Sequence, residues 1–283
     1  MPPPPRPKAQ WTVLVYMAAD NDLDQAAVAD IQEMLAVGAS PEVRVAALVD
    51  RSGHRPTTRY IIPERPGCSL LDCPQEHLPE INTGDPRHLV SFLDWGRKAL
   101  PSEHLGLILW NHGYGGRPYD LDAVRRTHAP KGKLSRRRLP LGGQPLTHFA
   151  YIGFDEGQGT VGTLDMPELG KALAKGLGGS KRLDLLGFDA CLMSQLEVAY
   201  QVKDNAHVLL GAEESMPGFG LPYDRVLPLL VKNPRLTAAT LAKRVAAEFL
   251  ASIPPDEARD GWDQAVLLTR DITKLTRVTH RLG

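Results

Sequence analysis

Two stretches of this sequence end in side chains that can do chemistry together: Asn111, His112 and Gly113 after LGLILW, and Asp189 and Cys191 in LLGFDAC. Cysteine attacks as its thiolate, and a neighbouring histidine supplies the proton transfers that attack and departure require. A glycine beside that histidine lets backbone N–H groups approach a developing oxyanion with no side chain in the way. Residues two apart in an extended segment face the same side, so Asp189 shares a pocket side with Cys191, placed to receive a basic substrate side chain. Cys191 also stands directly before a helical pattern, LMSQLEVAYQVK, whose N-terminus favours a thiolate. Each residue has a plainer reading as well. A lone cysteine after an apolar strand is commonly core, and a lone histidine at a strand end is commonly a satisfied surface group; types and spacing leave both readings open.

Positioning such groups requires a sheet whose strands stop beside one another. WTVLVYMA (11–18) reads as a buried strand from its unbroken apolar and β-branched character. The next segment changes period: Leu23, Ala27, Ile31, Met34 and Leu35 recur at helical spacing, acids crowd the first turn, and Gly38 closes it. EVRVAALVD (42–50) returns to strand, and this order predicts a parallel sheet. TTRYIIP (57–63) reads as a hairpin partner beyond Gly53, and PRHLVSFLDWGRKA (86–99) as a helix opened by Pro86. HLGLILWNHG supplies the next central strand. A second β-α-β unit is predicted from YIGFDE, a helix capped by Asp165 with Glu168 three residues on, and RLDLLGFDA. Helices near 223–231 and 237–251 and strands AHVLLGAEES and QAVLLTR complete the pattern. In open parallel sheets, ligands bind outside the carboxyl ends of the strands, which is where the candidate residues fall.

The 283 residues can bury a full core, and 33 basic residues balance 33 acidic ones, so no global field points to nucleic acid or an anionic membrane. No run approaches the roughly 18 apolar residues of a membrane span. Residues 1–10, MPPPPRPKAQ, predict a flexible proline-rich leader without the apolar core of a signal peptide. The expectation is a chain with no export signal as written, or a secreted one if trimmed. Three cysteines, Cys68, Cys73 and Cys191, leave at least one thiol free, and CSLLDC with His77 lacks the second ligand pair of a structural zinc site. Residues 114–150 form a long stretch rich in Gly, Pro, Arg and Lys, a length that marks a functional loop, a disordered segment or a processing region.

Several separated motifs in this order, WTVLVYMAADNDLD, LGLILWNHGYGG, FDEGQGTVGTLDMPELGKAL and LDLLGFDACLMSQLEVAYQVKDNAHVLLGAEESMPGFGLPYD, resemble the clostripain family of cysteine peptidases. The resemblance implies a caspase-like three-layer αβα sandwich with a mostly parallel central sheet over residues 11–283. It makes Cys191 the nucleophile, His112 the general acid and base, and Asp189 the acid that selects arginine or lysine before the scissile bond. Glu213, Glu214 and Ser215 would line the substrate wall. It further implies self-cleavage in the 114–150 loop, where Arg125, Arg126, Lys131, Lys133, Arg136, Arg137 and Arg138 offer basic residues, leaving two associated chains. Protein or peptide substrates are implied and no cofactor is required, although some relatives use calcium, for which no site is identified. One departure is Leu221, where the family's Gly-Trp-x-Tyr pattern places tryptophan, and the C-terminus looks short of an accessory region.

GQGTVG (157–162) satisfies G-x-G-x-x-G, so a dinucleotide-binding α/β enzyme is an alternative, although Asp165 starts the helix after the third glycine. Asp20, Asp22 and Asp24 imitate the start of a calcium loop, but Gln25 and Ile31 occupy its sixth and twelfth positions, and first-turn helix acids account for them. G-x-S-x-G is absent, which disfavours a serine hydrolase. The remaining alternative is a latent or non-catalytic caspase-like scaffold that binds partners.

Overall fold

We describe the protein from a computed structural model, which covers residues 7–53, 55–115, 151–155, 162–179, 181–257 and 261–279. Strand β1 (Ala9–Ala19) is the axis of the fold, lying between β2 (Val43–Arg51) and β5 (Ser102–Trp110) and parallel to both. Beyond β5 come β8 (Leu183–Asp189) and β9 (Ala206–Gly211), also parallel, so the central five strands run one way. Antiparallel strands finish both edges: β3 (Thr58–Ile61) and β4 (Gln75–His77) on one side, β10 (Ala265–Leu268) on the other. The spatial order is β10-β9-β8-β5-β1-β2-β3-β4.

Helices cover both faces, which is why β1 reads as a continuous apolar run. Alternate side chains of β1 enter different cores. Trp11, Val13, Val15 and Met17 pack with residues of α1 (Asp24–Val37), α5 (Tyr223–Lys232) and α6 (Ala238–Ser252). Leu14 and Tyr16 pack with residues of α2 (Pro86–Ala99), α3 (Met166–Gly176) and α4 (Leu196–Val202), to which α7 (Thr269–Thr279) adds Ile272. Period-2 alternation in the strand thus builds two cores from one segment. These layers give the expected αβα sandwich with a mostly parallel sheet.

The local signals work as chemistry. Asp85 caps α2 by accepting from Arg87 N, with Pro86 at the first helical position. Asp165 and Glu168 form a reciprocal capping box at α3, the Asp165 side chain accepting from Glu168 N at 2.7 Å. Gly38 ends α1 at φ 77°, a conformation glycine adopts without strain.

Two expectations are corrected. β6 (Tyr151–Asp155) does not join the sheet as the first strand of a second β-α-β unit; it pairs antiparallel with β7 (Gly162–Asp165) in a separate two-stranded ribbon. The ribbon docks on the turn before α2, where Thr83 N and Oγ1 both donate to Asp155 Oδ2, at 2.6 and 2.8 Å. The backbone groups of YIGFD are paired with β7 in place of the main sheet. The second correction concerns Asp20 and Asp22: helix α1 begins only at Asp24, so they precede it and are not first-turn acids. The leader residues 1–6, most of the 114–150 loop, and residues 157–161 of GQGTVG lie outside the described residues.

Candidate active site

Register brings the two chemical stretches together. Trp110 at the end of β5 pairs with Asp189 at the end of β8, and Met17 of β1 pairs with Trp110 on the other side. The three strands therefore stop side by side, and the residues just past them share one pocket. It is lined by Trp110, Asn111, His112, Asp189, Ala190 and Cys191 from these ends. Its far wall, Met216 to Gly218 and Gly220, comes from the loop after β9, and its volume of about 100 Å³ suits one side chain.

Asn111 ties the strand ends to each other. Its backbone N–H donates to Asp189 O at 3.2 Å, its side-chain amide donates to Ala18 O, and its Oδ1 accepts from His112 N. His112 is half-buried, and its Nε2 meets Asp22 Oδ1 at 2.7 Å across the β1 end. Gly113 forms an isolated bridge to Ile152 of β6. A methyl group on Gly113 would collide with Cys191 O and come within 2.6 Å of Met193 Cγ, so this glycine permits the close approach of the His112 and Cys191 loops.

Cys191 is half-buried at the turn after β8, and its Sγ accepts from Met216 N at 3.1 Å. The next residue, Leu192, adopts φ 63°, a left-handed conformation uncommon for a residue with a side chain. Its N–H is satisfied by Glu214 O at 2.8 Å, and Ser194 N by Ala212 O at 2.8 Å, which pins the turn to the β9 loop. The expected helix does not follow Cys191 directly. This turn intervenes and α4 starts at Leu196, because the left-handed Leu192 interrupts helical continuation. The helix terminus is thus not placed at the sulfur.

Asp189 is buried, 5% exposed, with both carboxylate oxygens engaged. Leu221 N donates to Oδ1 at 3.0 Å and Tyr223 Oη donates to Oδ2 at 3.0 Å. Burial pushes its pKa up to about 7, against the lowering effect of those two donors, and the negative charge of Glu33 pushes the same way. Behind it, Asp30 accepts from Trp110 Nε1 at 2.6 Å and is raised to about 9 by burial and by the Asp189 charge. Gly220, at φ 61°, lies over Asp189 so closely that a Cβ would sit 2.8 Å from Oδ1.

His112, Gly113, Asp189 and Cys191 thus converge, as the sequence expects. Glu213, Glu214 and Ser215 do not: their side chains are exposed and absent from the pocket lining, while the backbone N–H groups of Glu213 and Glu214 donate to Asp263. The wall is built instead from Met216, Pro217, Gly218 and Gly220. Leu221, the departure from the tryptophan pattern, serves Asp189 through its backbone, with its side chain buried in the core. Gly162, the third glycine of the nucleotide-like motif, opens β7 with Asn82 occupying the place a Cβ would take, not at a helix start. Among the described residues, no group of three or more His, Cys, Asp or Glu side chains is arranged to hold a metal ion, and no helix is long and apolar enough to cross a membrane. Cys68 and Cys73 are free thiols. Arg125, Arg126, Lys131, Lys133, Arg136, Arg137 and Arg138 lie outside the described residues.

The family model for the clostripain family matches residues 15–129 and 144–282, spanning both halves of this site. The chain belongs to the clostripain family. Clostripain of Hathewaya histolytica is 28% identical over 240 residues, which is 76% of this clostripain-family chain and 41% of clostripain itself. The chain therefore spans less than half the length of that curated relative. A secreted C11 cysteine protease from Bacteroides thetaiotaomicron, solved with an irreversible peptide inhibitor, matches with a TM-score of 0.70 and 22% identity over 96% of this chain and 69% of its own. An inactive zymogen C11 protease from Parabacteroides distasonis matches with a TM-score of 0.65 and 19% identity over 95% of this chain and 64% of its own. At those identities the two structures establish the shared fold of this clostripain-family chain.

Proposed function

We propose that this chain is a cysteine endopeptidase that cuts after arginine or lysine. The observation that carries the reading is the single pocket shared by Cys191, His112 and the buried carboxylate of Asp189. A guanidinium or ammonium entering it gives Asp189 a counter-charge, and charge-assisted bonds in a water-poor pocket are the strong ones. The Cys191 thiol passes its proton to His112 as its sulfur bonds to the substrate carbonyl carbon, and the carbonyl oxygen takes the π electron pair. The C–N bond then breaks, with a proton passing from His112 to the departing amine. Water, deprotonated by His112, adds to the thioester and releases the acid and the free thiol.

Self-cleavage in the 114–150 loop belongs to the same reading. Its basic run, from Arg125 to Arg138, consists of the residue types the pocket would accept. The bridge between Gly113 and Ile152 holds the two sides of the loop next to the site, which supports a cut there leaving both products attached. Peptides with Arg, Lys, Asp or Leu before a fluorogenic leaving group test the reading in wild type and in folded Cys191→Ala. Basic-selective cleavage lost in the variant is expected, together with new N-termini in the loop of the wild type. A wild type that cleaves none of them, before or after limited proteolysis of the loop, would instead support a scaffold that binds partners.

A further inference from the structure

Asp20, Asp22 and Asp24 follow one another at the end of β1, and the structure gives them different surroundings. Asp20 is buried, 6% exposed. Asp24 receives Arg51 Nε and Nη2 at 2.8 Å each, which anchors the first turn of α1. Asp22 alone projects outward, its side chain 78% exposed, and its bond is to His112 Nε2 at 2.7 Å. The loop that carries it is fixed from below. Asn21 Oδ1 accepts from Leu23 N at 2.9 Å, Asn21 Nδ2 donates to Ala18 O at 3.0 Å, and Ser52 Oγ donates to Asn21 O at 3.1 Å. The same Ala18 carbonyl accepts from Asn111, the residue before His112, so the carboxylate and the imidazole hang from one shared backbone point.

We propose that Asp22 is a positioning residue for His112. The inference rests on the peptidase reading and adds a third member to its pair. A carboxylate accepts and does not donate, so Nε2 carries the hydrogen in this contact. Nδ1 is then the nitrogen with the free lone pair, and the proton that moves between enzyme and substrate moves at Nδ1. When His112 takes up that proton, Asp22 faces the new positive charge across the same bond. An exposed ion pair contributes little to folding, about 0–1 kcal/mol, so the contact has no comparable structural reason to exist.

Two variants and two readouts test this. Asp22→Ala removes the acceptor; Asp22→Asn keeps an oxygen for Nε2–H and removes the charge. With a basic fluorogenic peptide, Asp22→Ala is expected to lower kcat roughly ten- to a hundredfold, a part of the 10²–10⁴ that positioned acid–base groups supply. KM should stay near that of wild type, with Asp22→Asn intermediate. The second readout needs no turnover. In Cys191→Ala protein labelled with 15N-histidine, in alkaline solution, the His112 ring should show the Nε2–H tautomer, and Asp22→Ala should convert it to a mixture. An unchanged ring spectrum in Asp22→Ala would overturn the inference whether or not the enzyme cuts the peptide, and so would an unchanged kcat in an active enzyme. A wild type that cuts nothing would fail the peptidase reading alone, because the spectra still decide the role of Asp22.

Discussion

Gly220 lies directly against the carboxylate of Asp189: a Cβ placed on it would stand 2.8 Å from Oδ1 and 3.0 Å from Oδ2. The residue also holds φ 61°, where a side chain is disfavoured by roughly 1–2 kcal/mol. Both facts serve one end. The chain turns back at Gly220 to bring Leu221 N onto Asp189, and a glycine there leaves uncovered the acid proposed to receive a substrate side chain. Gly220→Ala is therefore expected to lower stability by about 1–2 kcal/mol and to lower kcat/KM for an arginine peptide further than for a leucine peptide. Thermal unfolding and paired peptide kinetics check the two effects separately. Equal losses on both peptides would mean that the glycine shapes the loop but not the pocket.

Burial raises Asp189 to about 7 despite the Leu221 and Tyr223 hydrogen bonds. Only the ionised acid attracts a cation, so the ratio of kcat/KM for basic over neutral peptides should fall as pH drops through about 7. Taking the ratio cancels any titration of the Cys191–His112 pair common to both substrates. Tyr223 Oη donates to the carboxylate at 3.0 Å and so favours its charged form. Tyr223→Phe removes that donor and should move the fall to higher pH. A pH-independent ratio would separate Asp189 from the selection of basic residues.

A second buried acid acts on stability. Asp50, fully buried on β2, is raised from 3.8 to about 8, chiefly by burial and then by the charges of Asp155 and Asp20, while Thr57 Oγ1 at 2.6 Å pulls it down. Between these two pH values the folded chain keeps a proton that the unfolded chain has released. Stability should therefore fall as pH rises from about 4 to about 8, and the full cost persists above that window. Asp50→Asn retains an oxygen for Thr57 and carries no charge. Denaturant unfolding from pH 4 to 9 should show the variant gaining on wild type as pH rises. A constant difference between the two proteins would remove Asp50 from the pH dependence.

The strand ends were legible because they follow from composition alone. An apolar run buried on both faces has to stop where polar residues begin, and LILWNH and LLGFDAC mark that point by their letters. Parallel order then made Trp110 and Asp189 neighbours. What the letters did not carry was backbone behaviour. The left-handed Leu192 and the turn that separates Cys191 from α4 have no residue signal, since leucine is an ordinary helix former. The charges of Glu213 and Glu214 suggest a pocket wall, yet the wall is made by Met216, whose N–H reaches Cys191, by Pro217, and by glycines that contribute an absence. YIGFD reads as a strand and is one, but nothing within it states that its partner is the nearby β7 instead of the main sheet. Asp22 reads from the letters only as a first-turn helix acid, because its meeting with His112 depends on two loops whose approach only the fold defines.

The proposed peptidase reading gives Gly113 a second role beside its packing, and one substitution tells the two apart. Chemistry at the strand end asks it for an unobstructed backbone near the oxyanion; packing asks it for room, since a Cβ would strike Cys191 O and approach Met193 Cγ at 2.6 Å and Sδ at 3.0 Å. The methionine can shift, but the carbonyl belongs to the turn pinned by Leu192 N and Ser194 N. Gly113→Ala should therefore push the Cys191 turn away from His112. Overpacking of this kind costs about 1–3 kcal/mol, and a misplacement near 1 Å at the reacting groups can cost about a hundredfold in rate. Iodoacetamide alkylation of Cys191, measured with Cys68 and Cys73 changed to serine, follows the thiol itself without requiring turnover. Alkylation altered together with cleavage would place the effect at the thiol, as the collision with Cys191 O requires. Alkylation at the wild-type rate with cleavage lost would instead assign Gly113 to the oxyanion alone.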